Sequence, residues 1–75
     1  MKSTFRSEYT KLGLNLSYYR RLRGYTQEQL AEMIDLEPDS ISKIENAKVG
    51  ASLDTLFALA KALGIAPQKL FDFRE

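Results

Sequence analysis

The sequence predicts an all-α fold, a compact bundle of five short helices in one domain over residues 1–75, with its core at about 6–73. Three observations support this prediction. Apolar residues recur every three or four positions along most of the chain, which is the helical repeat. Residues that favour helix starts or ends, such as Thr26, Pro38 and Gly64, separate the repeating segments. A chain of 75 residues has room for one small core, whose stability is modest unless a second copy binds.

The first helix is expected to begin at Phe5 or Ser7 and to end at Arg23. Its inner stripe has apolar residues at spacings of four, three, four and three, namely Phe5, Tyr9, Leu12, Leu16 and Tyr19. Gly24 follows as a residue that readily takes the left-handed conformation at a helix C-terminus.

The opposite side of this helix carries Leu14, Tyr18 and Leu22, which fall within about 80° of one another on a helical wheel. Scattered apolar residues are common on protein surfaces. A patch of this kind also suits self-association or binding of a partner. Both interpretations remain open at this point.

The second helix is predicted over 27–34. Thr26 is the expected N-cap, and Gln29 occupies the position at which a capping box has Glu or Gln. Leu30 and Ile34 lie four residues apart, and Met33 widens their apolar stripe. The residues 35–37 then interrupt the helical pattern.

The third helix is predicted from Pro38, which is favoured at a first helical position, to about Asn46. One side of it contains Ile41, Ile44 and Glu45. The other side, at about 100–200° from Ile41, is polar and contains Asp39, Ser42, Lys43 and Asn46. Two short helices joined by a tight turn, the second with one packing face and one polar face, are typical of a helix-turn-helix.

The fourth helix is expected to be capped by Ser52, to reach Leu63 and to end at Gly64. Its inner stripe is Leu53, Leu56, Leu59, Ala60 and Leu63. The fifth and shortest helix is expected to begin at Pro67, with Leu70 and Phe71 as core anchors. At the edges of these stripes lie two further aromatic residues, Phe57 and Phe73, which either close the core or contact a second subunit.

The composition excludes several classes of function. The chain has no cysteine and no histidine, which removes disulfides, thiolate metal sites and the commonest general base. It also has no glycine-rich phosphate loop. We therefore predict no catalytic residue, no metal, no cofactor and no small-molecule substrate. No run approaches the roughly 20 apolar residues of a membrane span, and the N-terminus lacks the pattern of a signal peptide, so a cytoplasmic location without membrane contact is expected.

The charge is distributed unevenly, although the net charge is only +1. Residues 1–24 carry six basic side chains against one carboxylate, whereas residues 25–49 carry two lysines against six carboxylates. The segment 25–49, which contains the predicted helix-turn-helix, is therefore acidic, with a net charge of −4. Such a charge is unusual for a unit that meets phosphates, because like charges within a Debye length, about 8 Å at physiological salt, repel.

Three motifs resemble one known family. They are T-Q-E-Q-L-A at 26–31, I-S-K-I-E-N at 41–46 and S-L-D-T-L-F-A-L-A-K-A-L-G-I at 52–65, and they resemble the XRE family of Cro and phage-repressor type. The resemblance implies a lambda-repressor-like DNA-binding domain with its helix-turn-helix at about 27–46. It further implies a transcriptional regulator that binds double-stranded DNA at a palindromic operator as a homodimer, similar to stand-alone Cro-like and restriction-modification controller proteins.

The expected interface follows from this arrangement, with the third helix in the major groove. The candidate base-reading residues are Glu37, Pro38, Asp39, Ser42 and Lys43. The candidate phosphate contacts are Thr26, Gln27, Asn46 and Lys48, of which the family uses the glutamine as a phosphate clamp. The alternative for the lysine and serine of the third helix is a solvated face. For its two carboxylates the alternative is stabilisation of a helix N-terminus.

The resemblance also implies an ion pair between Arg20 and Glu45 that ties the first helix to the third. The alternative is that both side chains are solvated. The family usually has glycine at the positions of Asp35 and Ala47. Either Asn46 takes the left-handed conformation after the third helix or that turn is strained at Ala47.

A function of a different class also fits the sequence. The acidic helix-turn-helix and the patch of Leu14, Tyr18 and Leu22 are compatible with a protein-interaction module, or an antitoxin-like partner, that uses the same fold with weak or no DNA binding.

Overall fold

In the computed structural model, which describes residues 4–73, the chain forms four α-helices and a terminal 3₁₀ helix. These are α1 (Arg6–Leu22), α2 (Gln27–Met33), α3 (Pro38–Glu45), α4 (Leu53–Leu63) and the 3₁₀ helix Pro67–Phe71. No strand occurs among these residues, so the prediction of an all-α bundle is confirmed. The predicted count of five short helices is corrected to four α-helices, because the last segment is a five-residue 3₁₀ helix, a geometry that proteins use in short pieces.

The helix boundaries follow the predicted caps. The Thr26 hydroxyl accepts from the backbone N–H of Gln29 at 3.0 Å, and the Thr26 N–H donates to the Gln29 side chain at 2.8 Å, which completes a capping box. The Ser52 hydroxyl accepts from the N–H of Thr55 at 3.1 Å. Gly64 has φ +68° and ends α4 in the left-handed conformation.

The core lies between all of these elements. Its fully buried large side chains are Leu16, Leu30, Ile41, Leu59, Leu63 and Leu70. The stripes of α1 and α4 therefore face inward as predicted over most of their length, while Tyr9 and Tyr19 pack against the core from its edge.

Four residues that were predicted to face the core are exposed instead. Phe5 and Leu53 are each 62% exposed, Met33 is 49% exposed and Phe71 is 45% exposed. Phe5 and Leu53 lie at helix starts: Phe5 is the N-cap of α1, with a non-helical φ of −107°, and Leu53 is the first residue of α4. In a 3₁₀ helix successive residues are about 120° apart, so burial of Leu70 turns Phe71 outward.

The helix α1 crosses α3 at Gly13, where the two backbones nearly touch. A Cβ atom at Gly13 would lie 2.7 Å from the carbonyl oxygen of Ile44 and closer still to that of Glu45. Only glycine permits this approach, because a Cβ atom needs at least 3.0 Å to the nearest non-bonded heavy atom. The contact fixes how far α3 stands from α1.

The C-terminal segment is held against α1 by side chains. Asn15 Nδ2 donates to the carbonyl oxygens of Leu70 and Asp72 at 3.0 and 3.3 Å, and Arg23 Nε donates to that of Leu63 at 2.7 Å. None of the helices within residues 4–73 is long and apolar enough to cross a membrane.

Candidate nucleic-acid interface

The helices α2 and α3 form a helix-turn-helix over 27–45. Asp35 has φ +58°, and this left-handed residue lets the Leu36 N–H return to the Ala31 carbonyl oxygen at 2.9 Å. Glu37 is then extended as the N-cap, and Pro38 begins α3. The turn thus redirects the chain within four residues and leaves one side of α3 on the surface.

A buried network anchors the inner side of α3. Arg20 Nε donates to Glu45 Oε2 at 2.6 Å and Arg20 Nη2 donates to Oε1 at 3.1 Å. A third donor, Gln27 Nε2, reaches Oε1 at 3.0 Å. The Arg20 and Glu45 side chains are only 10% and 5% exposed. One carboxylate therefore joins α1, α2 and α3. Charge-assisted hydrogen bonds from several donors hold the three helices in a defined relative orientation.

The outer side of α3 is polar and open to solvent. Lys43 Nζ lies 3.0 Å from Asp39 Oδ2, and both side chains are largely exposed. Ser42 is half-buried, while Glu37 and Pro38 are exposed. Four of the five predicted base-reading residues are thus exposed and Ser42 is half-buried, but the lysine and the aspartate already compensate each other.

The four predicted phosphate contacts have different surroundings. The Thr26 hydroxyl is engaged in the cap, and Gln27 is half-buried with one amide N–H directed at Glu45. Asn46 Nδ2 donates to the Ser42 carbonyl oxygen at 2.9 Å. Lys48 is exposed, and its side chain makes no hydrogen bond or ion pair to any residue of the described part of the chain.

An open groove of about 650 Å³ separates the outer face of α1 from the helix-turn-helix. We call it the α1 groove, and its lining residues are Leu14, Ser17, Tyr18, Arg21, Leu22, Gln27, Glu45 and Asn46. It contains all three residues of the predicted patch on α1, which are 59–63% exposed. It also contains two of the predicted phosphate contacts.

The remaining two residues of the predicted partner surface are not part of this groove. Phe57 is 52% exposed on α4. Phe73 is half-buried, packs against the core and lies with its ring centroid 6.4 Å from that of Phe71. Phe73 therefore helps to close the core, whereas Phe57 is available for contact.

Some residues that shape this surface were not identified from the sequence. Gly13 sets the approach of α1 to α3, and Arg21 lies in the α1 groove. The sequence contains a signal for each of them. An isolated glycine inside a helical pattern indicates a close backbone contact. Arg21 follows Tyr18 by three residues and therefore lies on the same side of the helix.

The turn after α3 is left-handed at Ala47. Its φ is +56°, whereas Asn46 has φ −96°. Of the two open alternatives, the structure has the one in which Ala47 carries the strain. Among residues 4–73 no group of acidic side chains is arranged to hold a metal ion.

Comparison with known proteins gives consistent matches. A family model described as helix-turn-helix matches residues 16–70. The control protein C.SmaI of Serratia marcescens is 39% identical over 59 residues, which are 79% of this chain and 70% of that protein. The restriction-modification controller protein C.AhdI of Aeromonas hydrophila has a similar structure, with a TM-score of 0.84 and 32% identity over 87% of this chain and 98% of that one. The P22 c2 repressor, crystallised with a synthetic operator, has a TM-score of 0.77 and 25% identity over 84% of this chain and 96% of that one.

Proposed function

Because the chain belongs to the helix-turn-helix family of Cro and phage-repressor type, we propose that it regulates transcription by binding double-stranded DNA with α3 in the major groove. The observation that carries this proposal is the two-sided character of α3. Ile41, Ile44 and Glu45 hold its inner side, while its outer side is polar and unobstructed. A helix of this kind can enter a groove about 12 Å wide without disturbing the core.

The proposed base contacts use the outer side of α3. Lys43 can donate to guanine O6 and N7, Asp39 can accept from cytosine N4, and Ser42 can do either. Glu37 and Pro38 lie at the start of α3, which is the part of a recognition helix that meets base edges. Lys43 and Asp39 pair with each other in the free protein, so a contact of either residue with DNA competes with this ion pair. The loss is small, because an exposed ion pair contributes at most about 1 kcal/mol.

The proposed phosphate contacts flank this helix. Glu45 fixes the amide of Gln27 through one N–H, and the second N–H of the same amide is then available to a phosphate oxygen. Thr26 adds a hydroxyl beside it, while Asn46 and Lys48 follow at the C-terminal end of α3. Contacts of this type fix the register of the protein on the duplex without reading its sequence.

A dimer is part of the proposal, because one subunit is too small for a two-part operator. Its principal extents are 31 × 23 × 20 Å, whereas half-sites in adjacent major grooves are about 34 Å apart. A palindromic operator therefore requires a second copy. Phe57 and Leu53 are four residues apart on α4 and are 52% and 62% exposed, and we assign this pair to the subunit contact.

The relatives support the regulatory part of this proposal. C.SmaI is named a control protein, C.AhdI a restriction-modification controller protein and the P22 protein a repressor. We extend to this chain a role as a DNA-binding regulator of the same kind, without catalysis and within the cytoplasm.

A protein-interaction module is the second candidate function. It is favoured by the −4 charge of residues 25–49, most of whose carboxylates are exposed, and by the apolar patch on α1. In that case the acidic surface would bind a basic protein, and affinity for DNA would be weak or absent.

Salt-dependent binding to random-sequence duplex DNA distinguishes these two functions. For a DNA-binding protein the logarithm of the binding constant falls linearly with the logarithm of salt concentration. We expect this line for the unsubstituted chain, and weaker binding with a shallower slope for Gln27→Ala combined with Lys43→Ala. A matched control is Gln68→Ala combined with Lys61→Ala, which removes the same groups from exposed positions outside the helix-turn-helix.

The outcomes separate clearly. Binding that is reduced by the first pair of substitutions and kept by the control pair supports DNA recognition through α2 and α3. If the unsubstituted chain fails to bind even at low salt, the protein-interaction function replaces the proposed one. Circular dichroism of each variant shows whether the fold is retained.

A further inference from the structure

We propose that the sugar–phosphate backbone of DNA lies in the α1 groove and that Arg21 contacts a phosphate there. This inference rests on the proposed DNA binding and extends the interface from the helix-turn-helix onto the outer face of α1. It assigns to DNA a surface whose apolar residues alone would indicate a protein partner.

The first argument is continuity with the rest of the interface. Gln27 and Asn46, both proposed phosphate contacts, line the α1 groove. They come from opposite ends of the helix-turn-helix, the start of α2 and the end of α3. A backbone strand that passes both of them therefore runs along the groove, and the outer face of α1 forms its other wall.

The second argument is the charge of the groove. Glu45 is the one carboxylate among its lining residues, and its two oxygens accept three hydrogen bonds from Arg20 and Gln27. Its charge is thus compensated within the protein. Arg21 is exposed, and its side chain makes no hydrogen bond or ion pair to residues 4–73, so the groove has an uncompensated positive charge.

The positive charge of Arg21 is important because α3 itself has little net positive charge to offer to phosphates. The only basic residue on the outer side of α3 is Lys43, which is paired with Asp39. The recognition helix consequently offers little net attraction to phosphates. Arg21 supplies that attraction from α1, and a guanidinium suits the task because it presents several donors to phosphate oxygens.

The third argument is the mixed surface of the groove. Leu14, Tyr18 and Leu22 are about 60% exposed, and they stand beside donors rather than in a purely apolar patch. A DNA backbone presents apolar deoxyribose faces between its phosphates, so it can cover the leucines while its charges meet Arg21. The Tyr18 hydroxyl is a further donor for a phosphate oxygen.

The first test removes the charge of the groove. Arg21→Gln and Lys61→Gln each remove one exposed positive charge, the second from α4. In titrations with random-sequence duplex DNA we expect Arg21→Gln to weaken binding on the order of three- to tenfold at low salt and to reduce the salt slope by about 0.9, the value for one phosphate contact. Lys61→Gln should leave the slope unchanged. Equal slopes for both variants would overturn the proposal.

The second test adds a charge to the groove. Leu14→Lys and Met33→Lys both replace an exposed apolar side chain by lysine, and only Leu14 lines the α1 groove. If DNA lies there, Leu14→Lys tightens binding and steepens the salt slope by about 0.9, whereas Met33→Lys does neither. A groove used by a protein partner instead gives no gain for Leu14→Lys over its control, and that result contradicts the proposal.

These tests distinguish failure of the groove proposal from failure of the proposed DNA binding. A chain that does not bind DNA in unsubstituted form refutes both statements, because no duplex is then present for the groove to hold. A chain that binds DNA through Gln27 and Lys43, but responds to Arg21→Gln only as it does to Lys61→Gln, keeps the function and loses the groove.

Discussion

At the residue scale, the geometry of the interface depends on Glu45. A buried carboxylate is costly unless donors surround it, and here Arg20 of α1 and Gln27 of α2 provide them. Such a pair contributes more to the relative orientation of the helices than to net stability, because a hydrophobic pair of similar volume is often at least as stable. The surface glutamine that is proposed to bind phosphate is therefore positioned from inside the core.

Ala47 is a residue at which stability can be gained. It has φ +56° and is 2% exposed. The left-handed conformation costs an L-residue roughly 1–2 kcal/mol, whereas loss of the methyl group costs about 0.8 kcal/mol. We expect Ala47→Gly to stabilise the protein by a few tenths to 1 kcal/mol and to raise Tm by a few degrees, as measured by thermal unfolding.

The control for this prediction is the same change in ordinary helical backbone. Ala60 is 1% exposed inside α4, so Ala60→Gly removes a buried methyl group without relief of strain and should lower Tm. If Ala47→Gly lowers Tm to the same extent, the backbone at Ala47 is not strained.

At the element scale, the position of α3 follows from its approach to α1. The Gly13 contact brings the end of α3 against α1, and this approach places Glu45 within reach of Arg20. The two interactions are consequently coupled: a change of distance between the helices also changes the network that holds Gln27.

Substitution of Gly13 tests this coupling. Gly13→Ala would place a Cβ against two backbone carbonyl groups, which cannot move as a side chain can. We expect a loss of about 1–3 kcal/mol, typical of overpacking, and a Tm lower by several degrees in thermal unfolding. Gly50→Ala is the control, since the atoms nearest to a Cβ there belong to the flexible Tyr9 side chain, at 3.4–3.6 Å. Equal stability of the two variants would show that α1 and α3 can separate at no cost.

The sequence predicted the elements well because their signals are local. The capping box at Thr26, Pro38 at the start of α3 and Gly64 at the end of α4 act within one turn of helix. Exposure of Phe5, by contrast, depends on where the helix starts, which periodicity locates only to within a residue or two.

The site was predictable in part for the same reason. The outer side of α3 follows from a helical wheel, but the Gln27–Glu45 hydrogen bond and the α1 groove depend on how separate helices pack. Periodicity within one helix contains no information on the distance between two helices. Sequence periodicity places Arg21 on the same side of α1 as Tyr18, but its position opposite Gln27 and Asn46 follows only from the packing of the helices.

At the scale of the whole molecule, charge and size together favour the proposed binding as a dimer. The acidic helix-turn-helix weakens the attraction of one subunit to DNA, and the dimensions of one subunit match one half-site rather than two. In the proposed dimer, linkage of two weak half-site contacts would recover affinity, because the second contact becomes intramolecular. The proposed subunit contact on α4 is thus a condition for tight binding.

Removal of the exposed ring of Phe57 tests this condition. Truncation of an aromatic anchor at a subunit contact typically costs about 1–2 kcal/mol or more, so we expect Phe57→Ala to raise the dimer dissociation constant about tenfold or more in sedimentation equilibrium. Affinity for a palindromic duplex selected with the unsubstituted chain should fall in parallel, while affinity for a single half-site should not change. Phe5→Ala, which also shortens an aromatic residue that is more than half exposed, should affect neither. A Phe57→Ala variant that dimerises normally would show that the subunit contact does not depend on this ring and lies elsewhere. An unsubstituted chain that stays monomeric at tens of micromolar would contradict the proposed dimer.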